Sequence, residues 1–288
     1  MTRRPLFAAA ALALAALAPQ AQAGVVIDYA NFTGACGATL ACVGNTADLA
    51  TGELRLTPNA AYNSGAGYSN TAIALGAGAT FSTSFQFRMS DAGGIDPADG
   101  FTFVVAQSSA GLGGVGGGLG YQGVGNSVAI EFDTYDNGES SSNHVALDVN
   151  GSLSSLVQVD PYGVNSCHLA NHTNAGCLSN GKIWSAFVNY DGTTKLLNVS
   201  VQEEGSALIQ LITNYSIDIA STLGVNDAFV GFTAATGSGV QNHDILNWRL
   251  ANDTSITTDP GTVPEPASLA LLTIAGLGAL AAGRRRRG

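Results

Sequence analysis

The stretch AIEFDTYDNGESSSNH, Ala129 to His144, sets four carboxylic acids and a histidine within sixteen residues of a chain in which only 11% of residues are charged. Its first half alternates like a half-buried strand, with Ile130, Phe132 and Thr134 on one side and Glu131, Asp133 and Tyr135 on the other. Residues i and i+2 of a strand point the same way, about 6.6 Å apart, so two carboxylates lie in line on one face. Asp136 to Asn143 is rich in turn formers, and the chain should double back there as a hairpin. A reversal centred near Gly138 and Glu139 sets Asp133 opposite His144 and Glu131 diagonal to it, within about 8 Å. The hairpin thereby gathers Glu131, Asp133 and His144 with Asn137 and Glu139 from the loop. Carboxylates plus one imidazole suit a transition metal such as manganese (Mn2+). Carboxylates with an amide oxygen and a backbone carbonyl suit calcium (Ca2+), and Asp133 is placed to serve both. The competing reading, a solvated strand face with an incidental histidine, leaves the alignment of carboxylates unexplained.

Around this hairpin, helical periodicity is almost absent. Short alternating or apolar runs such as FSTSFQFRM, FTFVVAQ, HVALDVNG, ALIQLITNY and AFVGFTAATG recur between clusters of Gly, Asn, Asp and Ser. That rhythm predicts an all-β sandwich of antiparallel sheets, and IWSAFVNYDGTTKLLNVSV reads as a hairpin around Asp191-Gly192. The run GLGGVG, Gly111 to Gly116, satisfies the dinucleotide pattern G-x-G-x-x-G, with Glu131 twenty residues later. More glycines and another strand follow it, where a phosphate site needs the N-terminus of a helix, so that reading is rejected.

The two ends read as addresses. Arg3 and Arg4, the apolar run Leu6 to Ala18 and the small-x-small site Ala21 to Ala23 form a secretory signal peptide over 1–23, cut after Ala23. At the other end, Pro264-Glu265-Pro266 precedes an apolar run from Ala267 to Gly283 and the block Arg284 to Arg287. Those 17 residues would rise about 25 Å as a helix, marginally enough to cross a bilayer, with the arginines held in the cytoplasm. The order of parts over 263–288 resembles a PEP-CTERM sorting signal. That resemblance implies a Gram-negative host, transient inner-membrane association, processing by an exosortase-type enzyme, and delivery to the cell surface, the extracellular matrix or the medium.

The body, 24–262, carries no repeat, charge block or proline-rich linker and is taken as one domain. Its five basic residues face twenty acids once Glu265 of the tail is set aside, a balance that argues against nucleic acid. Four cysteines suit an exported chain. Of three connectivities, local pairing of Cys36 with Cys42 and of Cys167 with Cys177 is the simplest. The rival reads CHLANHTNAGC as a zinc site of Cys167, His168, His172 and Cys177, but its spacing fits no common zinc module.

VAIEFDTYDN followed by NHVALDVNG resembles the metal-binding region of the legume-type (L-type) lectins. ADGFTFVVAQ from Ala98, GGGLGY from Gly116, GFTAATGSGVQNHDILNWRL from Gly231 and YANFTG from Tyr29 resemble that family in the same order. The resemblance implies a jelly-roll sandwich that binds carbohydrate without catalysis, in a family whose copies often associate through sheet edges, which admits a homodimer without saying which edge. Carried over by position, Glu131, Asp133 and His144 match manganese ligands. Asp133 and Asn137 match calcium ligands, with the backbone carbonyl of Tyr135. The family's bridging Asp is here Glu139, in a shorter loop, a departure that bears on the transition-metal site more than on calcium. On the sugar side, Asp99 matches the carboxylate that accepts bonds from two hydroxyls, after a cis Ala98–Asp99 peptide. Gly117 or a glycine beside it offers an N–H, Asn137 its NH2, and the Tyr135 ring a stacking face. Ser238 to Asn242, with Ser238, Gly239 and Gln241, correspond to the loop that selects the sugar.

The rival from another class is a jelly-roll β-glucanase, which also lines acids on one strand as E-x-D-x-E or E-x-D-x-x-E. A retaining pair needs carboxyls about 5–5.5 Å apart. Here Glu131 and Asp136 are the candidates, and that reading leaves Asp99, Asn137 and His144 without a task. A third reading, a matrix protein held only by its tail, has no support beyond the tail.

Overall fold

The short alternating runs become the strands of two stacked antiparallel sheets, in a computed structural model that describes residues 24–139 and 141–252. In chain order the first strands are β1 (Val25–Tyr29), β2 (Leu40–Gly44), β3 (Ala47–Asp48), β4 (Leu54–Thr57), β5 (Ser64–Ser69), β6 (Ile73–Ala74), β7 (Phe81–Gly94) and β8 (Gly100–Ala106). They continue as β9 (Ser127–Asp133), β10 (His144–Val149), β11 (Val157–Val159), β12 (Trp184–Asp191), β13 (Leu196–Glu203), β14 (Ile209–Ser216), β15 (Asp227–Ala235) and β16 (Gly239–Ala251). A five-residue helix, α1 (Ile219–Leu223), precedes β15. One sheet runs β14-β13-β12-β7-β16-β4-β3, with β1 also on β16; the other runs β11-β10-β9-β8-β15-β5-β2, with β6 on β15. Neighbours such as β7 and β16, or β8 and β15, are far apart in sequence because the chain passes repeatedly between sheets, which makes the sandwich a jelly roll. The hairpin expected at Asp191-Gly192 joins β12 to β13, with Asp191 accepting the N–H groups of Thr193 and Thr194.

Between the sheets the period-two apolar residues meet as an aromatic core. Phe101 stacks on Phe132 at 4.7 Å, Phe232 meets Phe85 edge-on at 4.9 Å, and Trp248 closes on Phe232 at 5.0 Å. Such pairs add about 0.5–1.5 kcal/mol each beyond their buried area. A second, smaller cluster lies on the outer face of the β8–β9–β15 sheet. There Tyr121 and Val124, from the glycine-rich connection before β9, cover Val104, Ala106 and Ala129. This cover corrects one expectation. The strand holding Glu131 and Asp133 is buried on both faces, with all seven residues of β9 inside.

Both disulfides form as expected, Cys36 to Cys42 and Cys167 to Cys177. The second removes both thiolates from the zinc alternative, and His168 and His172 turn instead to Asp96 and to the Ser179 carbonyl. Gly116–Gly118 makes one 3-10 turn before further turns and β9, so no helix faces the glycine run. At the far edge β1 pairs with the end of β16, and the N–H of Gly24 reaches the Asn252 side chain at 2.7 Å. The signal peptide and the apolar tail lie outside the described residues. Among the described residues no helix is long and apolar enough to cross a membrane.

Candidate functional site

The register of β9 on β10 pairs His144 with Asp133 and Ala146 with Glu131, so the histidine stands opposite one carboxylate and diagonal to the other. One ligand atom from each of Glu131, Asp133 and His144 lies within 4.8 Å of the others, and all three residues are buried. His144 Nδ1 donates to the Ser141 carbonyl at 3.3 Å, which fixes the tautomer and leaves the Nε2 lone pair facing Glu131 Oε1 at 3.8 Å. Glu131 Oε2 and His144 Nε2 are buried without a hydrogen-bond partner. A closed structural network would satisfy these atoms; a cation would coordinate them.

Electrostatics point the same way. Burial raises the Glu131 carboxyl, and burial together with the charge of Glu131 raises Asp133 well above the usual carboxylate range. Burial also lowers His144, which keeps its imidazole neutral as a ligand must be. Behind Glu131 sits Asp148, pushed up to about 9 by burial and by the adjoining Glu131. Asp148 was not among the expected residues, although HVALDV alternates and so puts His144, Ala146 and Asp148 on one face. Glu139 departs from expectation. Its carboxylate accepts the Asn137 N–H at 2.7 Å and closes the shortened loop instead of joining the three-residue cluster.

The neighbouring strand brings in the sugar-side residues. Gly100 of β8 pairs with Asp133 of β9, so Asp99 stands one residue from the cluster, across the ladder. The Ala98–Asp99 peptide is cis. The Asp99 N–H donates to Ala235 O, while its carbonyl accepts from the N–H and hydroxyl of Thr134 at 2.9 and 3.0 Å. Its carboxyl is pushed up to about 7 by burial, against hydrogen bonds from the Asn137 side chain and the Gly237 N–H. Glycines make this approach sterically feasible. A Cβ on Gly117 would meet Asn137 Nδ2 at 2.5 Å, and one on Gly237 would lie 3.2 Å from Asp99 Oδ2. Asp99, Asn137, Gly117 and Gly237 therefore meet at one end of the sandwich. Asp99 is 4% exposed, Asn137 is exposed and Tyr135 is half-buried.

The expected selecting loop divides. Ser238 is exposed, and its hydroxyl bonds the Tyr62 hydroxyl at 2.8 Å. Tyr62, 65% exposed, is a rim aromatic that no motif marked. Gly239 begins β16 against Asp96 and Ala98. Gln241 is 0% exposed and donates to Thr134 Oγ1 at 2.7 Å, so it supports the Asp99 backbone through Thr134 rather than facing solvent. The glucanase pair does not assemble. Glu131 is buried, whereas Asp136 is exposed and accepts the Gly138 N–H, so the two carboxyls do not share one environment as a retaining pair would.

Comparison with known proteins agrees with this geometry. Residues 26–265 match the model of the legume lectin domain, and 262–287 match the PEP-CTERM protein-sorting motif. The chain is 33% identical to the L-type lectin-domain containing receptor kinase VIII.1 of Arabidopsis thaliana, over 72% of this chain and 30% of the relative. It is 34% identical to a galactose-binding lectin of Arachis hypogaea over 64% of each, less than two thirds of that relative's length. A putative bark agglutinin of Robinia pseudoacacia is 30% identical over 83% of this chain and 85% of the relative. Among solved structures, peanut lectin with a bound peptide superposes with a TM-score of 0.64 at 27% identity, covering 83% of this chain and 100% of that one. The metal-free form of lectin I-B4 from Griffonia simplicifolia gives 0.67 at 24% identity, covering 79% and 99%. With two sheets in jelly-roll order, a buried Glu-Asp-His cluster and a match along nearly the whole body, the chain belongs to the legume lectin domain family and ends in a PEP-CTERM protein-sorting motif.

Proposed function

We propose that this chain is an exported carbohydrate-binding protein that depends on bound metal and carries out no catalysis. The observation that carries the reading is the juxtaposition of the buried Glu131-Asp133-His144 donor set, with Glu131 Oε2 and His144 Nε2 unsatisfied, and the Asp99 carboxyl across one strand ladder. Glu131, Asp133 and His144 fit a transition metal such as manganese; Asp133, Asn137 and the Tyr135 carbonyl fit calcium. The ions, when bound, supply charge that neutralises the buried carboxylates and orders the loop bearing Asn137. Asp99 accepts hydrogen bonds from two sugar hydroxyls, Asn137 Nδ2 and a backbone N–H at Gly117 donate to the sugar, and Tyr135 offers its ring. Ser238 and Tyr62 form the outer rim. Residues 1–23 direct export, 24–262 form the lectin domain, and 263–288 hand the chain to an exosortase-type enzyme.

The galactose-binding relative makes galactosides the first ligands to try. A glycan array probed with and without calcium tests the proposal, together with Asp99→Ala. Loss of all glycan binding by Asp99→Ala, with bound calcium unchanged, is the expected outcome. Full glycan binding by that variant, or by protein stripped of metal, would refute the mechanism. A hydrolysed β-glucan would revive the enzyme reading.

A further inference from the structure

The disulfide-closed loop at Cys167–Cys177 contributes none of the metal or sugar contacts proposed above, yet it is tied to both halves of the site. On the hairpin side, the Ser142 N–H donates to Asn165 O at 3.1 Å and the Cys167 N–H to Ser142 Oγ at 2.9 Å. Asn143, buried beside His144, donates to Val164 O and Gly176 O and accepts from the Leu178 N–H, all within 2.9 Å. Both stems of the loop are thus stitched to Ser142 and Asn143, which lead directly into the strand that carries the imidazole.

The loop's tip reaches the other half. The two oxygens of Asp96 take the Leu169 N–H at 2.7 Å and His168 Nδ1 at 3.1 Å. The Asp96 carbonyl also accepts the Val240 N–H at 3.2 Å, at the start of β16 just after the loop of Gly237 and Ser238. Asp96 lies three residues before Asp99. One covalently closed loop therefore spans from the hairpin bearing Asn137 to the segment bearing Asp99, two groups that the sugar must meet together.

We infer that the Cys167–Cys177 loop is a brace of the sugar site, with Asp96 as the positioning residue that sets where Asp99 stands relative to Asn137. The inference rests on the reading of Asp99 and Asn137 as sugar contacts. Recognition on loops tolerates only about 0.5 Å of misplacement, so a second, covalently closed loop holding both is a source of that precision.

The test is titration calorimetry on the full chain with methyl α-D-galactoside, methyl α-D-mannoside and methyl α-L-fucoside, beside calcium binding and thermal melting. Asp96→Ala is expected to weaken the best-bound glycoside about tenfold while leaving calcium affinity and melting temperature in place. Asp96→Asn keeps an oxygen for Leu169 and offers an NH2 to His168 Nδ1 once that exposed ring carries its proton on Nε2, and is expected to restore most of the affinity. His168→Ala, on the surface and without risk to folding, should weaken it about threefold. Wild-type affinity in Asp96→Ala and His168→Ala, or an Asp96→Asn as weak as Asp96→Ala, overturns the brace. So does a parallel loss of calcium. Should Asp99→Ala abolish binding while the Asp96 variants do not, the sugar site stands and the brace falls. A wild-type chain that binds no glycoside removes both.

Discussion

At the scale of single residues, the contact that most limits the site is between Gly117 and Asn137. Because a Cβ at 117 would press on Asn137 Nδ2 at 2.5 Å, Gly117→Ala must turn the Asn137 amide away from Asp99. The displaced group is the exposed end of a loop side chain, so the fold should lose less than about 1 kcal/mol. Sugar affinity should fall at least tenfold, since a charge-assisted pair and a donor go together. A calorimetric titration beside a melting curve checks this, and equal loss of both would show that the glycine matters only for packing. Glu131, Asp133 and His144 were legible in the sequence because strand alternation and hairpin register are local rules. The place of Asp99 beside the cluster was legible only by resemblance, since nothing local distinguishes an Asp in ADG from a turn residue. Gln241 was misplaced for a definite reason. The ladder of β16 shifts register between Val240 and Asn242, and an irregularity there changes which side chains face inward.

At the scale of elements, the hairpin of β9 and β10 stores protons. Its folded, metal-free form keeps Asp148 protonated to about pH 9 and holds Glu131 and Asp133 above their ordinary range, whereas the unfolded chain releases those protons near pH 4. The stability this contributes is fully present below about pH 4 and is lost as pH rises toward about 9. Above pH 7, His144 is neutral folded and unfolded alike, so it adds no opposing slope. In chelator, the melting temperature should therefore fall between about pH 7 and 9, and calcium with manganese should flatten that fall by replacing protons with cations. Scanning fluorimetry across pH decides it; a metal-free protein that gains stability over that range contradicts the assignment. The sandwich itself was legible from the spacing of runs and turns. The burial of β9 on both faces was not, because its cover is the glycine-rich connection carrying Tyr121 and Val124, whose packing no periodicity announces.

At the scale of the whole molecule, a PEP-CTERM sorting motif follows the lectin domain, and the signal peptide proposed for 1–23 precedes it. Intact mass of surface material from a host with an exosortase should lack Arg284 to Arg287, and recovery of that terminus would count against the sorting proposal. The pairing of β1 with the end of β16 bears on what such processing leaves behind. Gly24 and Asn252 lie hydrogen-bonded side by side, so the chain enters and leaves the sandwich at one corner. From there β16 runs back thirteen residues to Gly239, roughly 40 Å along the strand, and ends beside Asp96 and Ala98. On the function proposed above, the corner where Gly24 and Asn252 meet and the sugar contacts lie at opposite ends of β16. On that reading, a cell holding the domain by its C-terminal end would hold it like a lamp by its stem, with the proposed sugar-facing end turned outward.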